Sequence, residues 1–242
     1  MLFTAKRGNK ILANSKVVFN KTSLSEDVYE TLKDKVRTGQ LNPGQRILLR
    51  EFADELGVSI TPVQYALGRL EIEGLVTSIP RRGFIVAELT LKDISELLDV
   101  RTMIETYAAK ILFENPPSKN LKATLQELTS LMDSHVRGQD DRDFEKFLEA
   151  DVDFHRTLVS ASKNSKLLDI FDQISIQMQT IRFFFLSSIR SRLAAPTIQE
   201  HQMVVDGVLE WNLNKTIKGI TQHLQNSKKV LLEEAQDSIS AE

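Results

Sequence analysis

Four histidines and no cysteine set what this 242-residue chain can do with soft ligand atoms. Without thiols, disulfides, thiolate metal sites and cysteine nucleophiles are excluded, and a cytoplasmic location is expected because nothing asks for an oxidising exterior. Asp151 and His155 stand four residues apart, so any helix carrying both presents them on one face, one turn apart. His201 and His223 follow on two later segments. One carboxylate and three imidazoles converging inside a helical bundle would suit a divalent transition metal, with imidazole favouring zinc, nickel, copper or iron over magnesium. Spacing alone does not decide this, since an Asp–His pair on a helix is more often surface chemistry or a structural hydrogen bond.

The elements that must position these residues are helical. From Thr90 onward the pattern is long and amphipathic, with Thr90 and Asp93 as a capping pair at its start. Helices are expected at about 91–114, 119–137, 141–162, 165–191, 197–210 and 213–236, the fifth opening after the break Ala195-Pro196-Thr197. Short connections between six such helices favour an antiparallel all-helical bundle.

A different pattern precedes it. Leu24, Val28, Leu32 and Val36 recur every four residues, behind a Ser23/Glu26 capping pair. A short helix from about Arg50 ends at Gly57, and another follows Ser59, a helix-turn-helix spacing. Thr61 is the expected cap of that second helix, with Pro62 in its first turn and Gln64 closing a capping box. Val63, Ala66, Leu67, Leu70 and Ile72 are expected inward; Ile60, Gln64, Tyr65, Gly68 and Arg69 outward or flanking. Residues 75–78 and 84–87 read as two strands around a basic tip, Arg81-Arg82-Gly83, which suits phosphate or minor-groove contact or simply solvates a turn. The glycine there would permit close backbone approach.

Charge is unevenly spread. Residues 1–90 hold 13 basic and 10 acidic side chains, the remainder 18 and 23. The first 22 residues, with Lys6, Arg7, Lys10, Lys16 and Lys21 and no acid, read as a flexible basic arm without the apolar core of a secretory signal. Apolar runs such as Ile181 to Ile189 are interrupted by Arg182 and two serines and fall short of the roughly 20 residues that span a bilayer, so no membrane contact is expected.

The runs Leu41-Asn42-Pro43-Gly44, Leu56 to Val63, Leu70 to Val76 and Arg82 to Val86 together resemble the GntR family of winged-helix regulators. The stretch Asp151 to Leu158 with Ser162 and Asn164, then Glu200-His201, then His223, resembles the FCD effector domain of its FadR subfamily, and six helices resemble the VanR-type branch. The expected fold is therefore mainly α, with a winged helix-turn-helix over 23–88 and a helical metal- and effector-binding domain over 89–242. The resemblance implies a transcription regulator, acting as a repressor, and not an enzyme. Its expected partner is double-stranded operator DNA, bound as a homodimer. Arg50, Ser59, Thr61, Gln64, Tyr65, Arg69, Arg81, Arg82 and Gly83 are the candidate DNA contacts. Ile60 and Gln64 stand where the family usually has arginines, and Tyr65 where glutamate is frequent, so the target sequence should depart from the family norm.

The resemblance also implies that Asp151, His155, His201 and His223 hold a divalent metal, zinc or nickel. A small carboxylate would occupy its open positions, clamped by Arg101 and Arg182 unless Arg182 is an ordinary ion-pair partner. Two other readings stay open at this point: the metal itself as the signal, or a metal-dependent hydrolase with Glu200 as base. The hydrolase is disfavoured because a helical neighbour of His201 points about 100° away.

Overall fold

Val28, Leu32 and Val36 lie along one stripe of helix α1 (Thr22–Arg37) and are almost fully buried. In the computed structural model, residues 22–88, 90–114, 116, 118–136 and 141–240 are described. The basic arm read at 1–22 thus lies outside the described residues, apart from Thr22. Ser23 falls inside the first turn of α1, its side chain outside the described ones, and Glu26 pairs with Arg69 at 2.5 Å.

The head continues with β1 (Arg46–Ile47), α2 (Leu49–Leu56), α3 (Ile60–Ile72), β2 (Val76–Ile79) and β3 (Gly83–Val86). The strands form an antiparallel sheet in the order β1-β3-β2, with Arg46 opposite Ile85 and Val76 opposite Val86. Strand β1 was not expected: two residues are too few for a period to show. Helix α3 is capped at Ser59, not Thr61, without a side-chain cap bond. Pro62 is tolerated in the first turn because its missing amide would have no partner there. Ile72, expected inward, is 78% exposed, because two residues past the buried Leu70 it has turned about 200° around the helix, away from the core.

The body is six helices among the described residues: α4 (Leu91–Leu112), α5 (Lys119–Val136), α6 (Asp141–Ala161), α7 (Ser165–Phe184), α8 (Leu186–Leu209) and α9 (Leu213–Ser240). Thr90 accepts a bond from the Asp93 amide and Asp93 accepts one from the Thr90 amide, so the expected capping box starts α4. The break between α7 and α8 falls at Phe185, and Pro196 lies inside α8. A proline in a helix interior costs about 3 kcal/mol or more. Ile189, Leu193, Val204 and Val208 form one buried stripe on both sides of it, and each such side chain contributes about 1.5–3 kcal/mol. Packing of the continuous stripe outweighs the proline, whose ring faces solvent. Nothing in the local sequence marks Phe185 as a break.

Helices α8 and α9 pack against each other through glycines. A Cβ on Gly207 would fall 2.6 Å from the Thr216 backbone nitrogen, and one on Gly219 would fall 3.0 Å from that of Val204. This near backbone contact brings His201 of α8 and His223 of α9 to a ring separation of 4.5 Å. Gly207→Ala is therefore expected to lower unfolding free energy by about 1–3 kcal/mol, the usual cost of overpacking, in urea denaturation. An unchanged midpoint would mean the two helices separate without penalty.

Candidate metal centre and nucleic-acid interface

Five of the body helices supply one buried polar cluster. Helix α4 contributes Arg101 and Glu105, α6 Asp151 and His155, α7 Arg182, α8 Glu200 and His201, and α9 His223, all 5% exposed or less. The four residues singled out by sequence converge: one potential ligand atom from each of Asp151, His155, His201 and His223 lies within 4.8 Å of the others. Oδ1 of Asp151 stands 3.7, 3.4 and 3.6 Å from Nε2 of His155, His201 and His223, and the first two of those nitrogens are 2.9 Å apart. Donor atoms bonded to one ion at about 2.0–2.2 Å are separated from each other by about 3–4 Å, so the spacing is that of a ligand set.

The outer partners fix which nitrogen is free. Nδ1 of His155 lies 2.5 Å from Glu105 and Nδ1 of His223 lies 3.1 Å from Glu200. Carboxylates only accept, so each Nδ1 donates, and in the neutral ring this leaves the Nε2 lone pair as the one facing the cluster. Burial, joined by repulsion from the neighbouring imidazoles, pushes His201 well below the usual histidine range. Burial also lowers His223, against the opposing pull of its Glu200 bond. Both are therefore neutral at pH 7. Burial alone would raise Asp151, but the Arg182 guanidinium and the imidazoles hold it well below the ordinary carboxylate range. Nε2 of His223 and Nδ1 of His201 have no hydrogen-bond partner. A buried, orphaned imidazole nitrogen beside a charged carboxylate fits a metal ion, and this cluster could hold one.

Charge strengthens the fit. Among the described residues the buried charged side chains are Arg101, Arg182, Glu105, Asp151 and Glu200, formally two cations against three anions. Formally the acids exceed the guanidinium groups by one negative charge, and such a charge left uncompensated is costly in a low dielectric. Arg182 pairs with Asp151, and Arg101 donates to Glu105 at 2.5 Å. Nη2 of Arg101 and Nε of Arg182 remain without partners.

Sequence reasoning missed Glu105 and misplaced Glu200. Glu105 sits one turn beyond Arg101, a signal that was available. Glu200 is buried beside His201 on α8, and α9 brings His223 and Asn226 onto its carboxylate. The fourth histidine, His135, lies apart from the cluster, half-buried in the last turn of α5.

On the head, the first turns of α3 face solvent: Ser59, Thr61, Gln64 and Tyr65 are exposed, Tyr65 by 54%, and Ile60 by 40%. Arg50 on α2 and Arg81 and Arg82 at the wing tip are exposed as well. Two candidates have structural duties. Arg69 bonds Glu26 and stacks 3.6 Å over the Tyr29 ring, joining α3 to α1. Gly83 has φ 88°, and a Cβ there would meet the Ile47 carbonyl at 2.9 Å, so the glycine serves the β1–β3 pairing and its expected close approach to DNA is not what requires it. Arg46, which sequence gave no reason to select, donates to the Arg82 carbonyl at 2.8 Å and braces the wing.

Comparison with known proteins agrees with this division. The FCD domain family matches residues 96–226, and the bacterial regulatory proteins of the gntR family match residues 24–86. An HTH-type transcriptional regulator from the TAR-I ttuE-ttuC' intergenic region of Agrobacterium vitis is 33% identical over 136 residues, 55% of this chain and 78% of that one. The gluconate operon transcriptional repressor of Bacillus licheniformis is 25% identical over 201 residues, 81% and 79% of the two chains. The structure of E. coli McbR/YncC superposes with a TM-score of 0.73 at 22% identity, over 87% of this chain and 98% of that one, and shares the fold.

Glu105 offers a test of the cluster's electrostatics. Attraction to His155 and Arg101 overcomes the effect of burial and pulls its carboxyl down from 4.5 to about 2. A depressed carboxyl stabilises the fold above its unfolded-state value and loses that contribution as pH falls from 4.5 toward 2. In chelator-treated protein, Glu105→Gln is expected to cost about 3–5 kcal/mol at pH 7, because Arg101 is left buried without its counter-charge. The gap from the unsubstituted protein should narrow as pH falls through that window. Equal stability at pH 7 would show that Arg101 finds another partner.

Proposed function

Because this chain belongs to the GntR family, with an FCD domain behind its winged head, it is a DNA-binding transcription regulator, and we propose that it is a repressor controlled by a small carboxylate bound beside a metal ion. In this reading residues 23–88 hold double-stranded operator DNA and residues 89–242 sense the effector. The observation that carries the proposal is the convergence of Asp151, His155, His201 and His223 around a common centre, with their ligand atoms within 4.8 Å. The three imidazoles favour zinc or nickel over a hard cation. The six-helix body is the reason to prefer the VanR-type branch.

The charge balance supports an anionic effector. A divalent ion would turn the formal interior charge from one negative to one positive, and a monocarboxylate would bring it to zero. Arg101 and Arg182 each keep an unpartnered nitrogen to donate to such an anion. When bound, the metal would supply a Lewis-acidic anchor for the carboxylate. The chain's own part is to hold four ligand side chains and two guanidinium groups in a site sealed from water.

A repressor of this kind binds as a homodimer, because a palindromic operator is matched by a two-fold protein. Gln64, Thr61 and Tyr65 would meet base edges, with Ser59, Arg50, Arg81 and Arg82 on phosphates. With Ile60 and Gln64 on the reading face, adenine and thymine-methyl contacts replace arginine–guanine pairs.

Two measurements test this. Zinc added to chelator-treated protein should raise the melting temperature, by the equivalent of about 2.7 kcal/mol at a hundred times Kd. Small carboxylic acids should raise it further only when zinc is present. A His155→Ala/His223→Ala double variant should lose both responses; full carboxylate stabilisation in that variant would place the effector elsewhere. On a DNA site selected from a random library, Arg81→Ala/Arg82→Ala should reduce the salt dependence of binding by about two phosphate contacts, roughly 1.8 in log–log slope. An unaltered slope would remove the wing from the interface.

A further inference from the structure

Helix α7 touches both the polar cluster and the recognition helix. On its head-facing side, Gln177 Nε2 donates to the Glu73 carbonyl at 2.7 Å and Gln173 Nε2 to the Ile72 carbonyl at 3.3 Å. These carbonyls end α3, where the last turn has no intrahelical donors left. Gly74 leaves room for the contact, since a Cβ there would lie 2.2 Å from Gln177 Nε2. Ile176, between the two glutamines, packs on the head's apolar core. On the body side, Phe171, Ile174, Met178 and Ile181 are buried, and Arg182 reaches Asp151. Five residues, about 7.5 Å of helix, separate Gln177 from Arg182.

We propose that α7 couples the cation cluster to the recognition helix, with Gln173 and Gln177 as positioning residues that set how α3 is presented to DNA. This rests on reading the cluster as a cation centre. Asp151, as one of the residues that would hold a cation, would then share its carboxylate between that cation and Arg182, and the guanidinium would lie beside added positive charge. Arg182 is 2% exposed and its Nε already lacks a partner, so water does not replace what it loses. Relief comes from displacement of the helix that carries it.

The surroundings permit that displacement. Helix α7 stops at Phe184, two residues beyond Arg182, at a single-residue break. A largely apolar cavity of about 120 Å³ between head and body is lined by Ile94, Thr180, Ile181 and Phe185 from the body and by Pro43, Ala87 and Glu88 from the head side. Its empty volume lies against the last turns of α7. Movement there changes the donors offered to the end of α3. Linkage is reciprocal, so altering the glutamines also alters cation affinity.

The test uses the full chain, treated with chelator, with zinc chloride as the probe, and compares it with the Gln173→Ala/Gln177→Ala variant. Zinc stoichiometry is measured by calorimetry, and hydrogen exchange is followed at the Gly74 and Leu75 amides, which close the end of α3 on the Glu71 and Leu70 carbonyls. Zinc should bind both proteins with the same stoichiometry. It should change exchange at these amides about fivefold or more in the unsubstituted chain, a coupling of typical size, and leave it unchanged in the variant. An equal response in both, or none in the unsubstituted chain despite bound zinc, would overturn the coupling while leaving the cation centre intact. Failure of zinc to bind the unsubstituted chain would overturn the cation reading and the coupling together.

Discussion

The carboxylate of Asp151 is the point on which the body is organised. One of its oxygens faces three imidazole nitrogens and the other pairs with Arg182, all out of contact with water. A charge in such a place is tolerated only when its surroundings compensate it nearly completely. The compensation comes from five helices at once. Packing of Phe144, Phe147, Phe154 and Leu158 along α6 holds Asp151 and His155 inward, and the close approach of α8 to α9 brings the other two histidines.

The head works by a contrasting arrangement, with its polar chemistry turned outward. A small core of aliphatic side chains, among them Leu32, Ile47, Leu67 and Leu70, leaves the first turns of α3 and the wing free. Internal bonds then stiffen the surface. Arg69 ties α3 to α1 through Glu26 and Tyr29, and Arg46 ties the wing to the β1 edge. Basic side chains on this domain therefore divide into those that hold the head together and those left without such a bond. Bonding distinguishes the two, since Arg46 is as exposed as Arg50; residue type does not.

Helix α7 belongs structurally to both units, since its buried face lies in the body and its glutamines close the end of α3. A linker alone would leave head and body free to turn independently, whereas capping bonds between them make the orientation of the reader depend on the position of a body helix. The break at Phe185 gives that helix an end of its own, instead of one continuous rod with α8.

Periodicity and capping residues made most of the elements legible. The Thr90/Asp93 box, the stripe Val28, Leu32, Val36, and the i, i+4 pairing of Asp151 with His155 depend on neighbours within one or two turns, so the sequence by itself determined them, along with the mainly helical class. Long-range contacts decided the rest. Pro196 continues a helix because a buried stripe runs past it, β1 exists because β3 offers it partners, and Glu200 joins the cluster because α9 packs beside it. The convergence of His201 and His223 on Asp151 likewise depends on a backbone approach between glycines that no local pattern encodes. Local rules specify what a segment prefers, and only burial against other segments decides which preferences prevail.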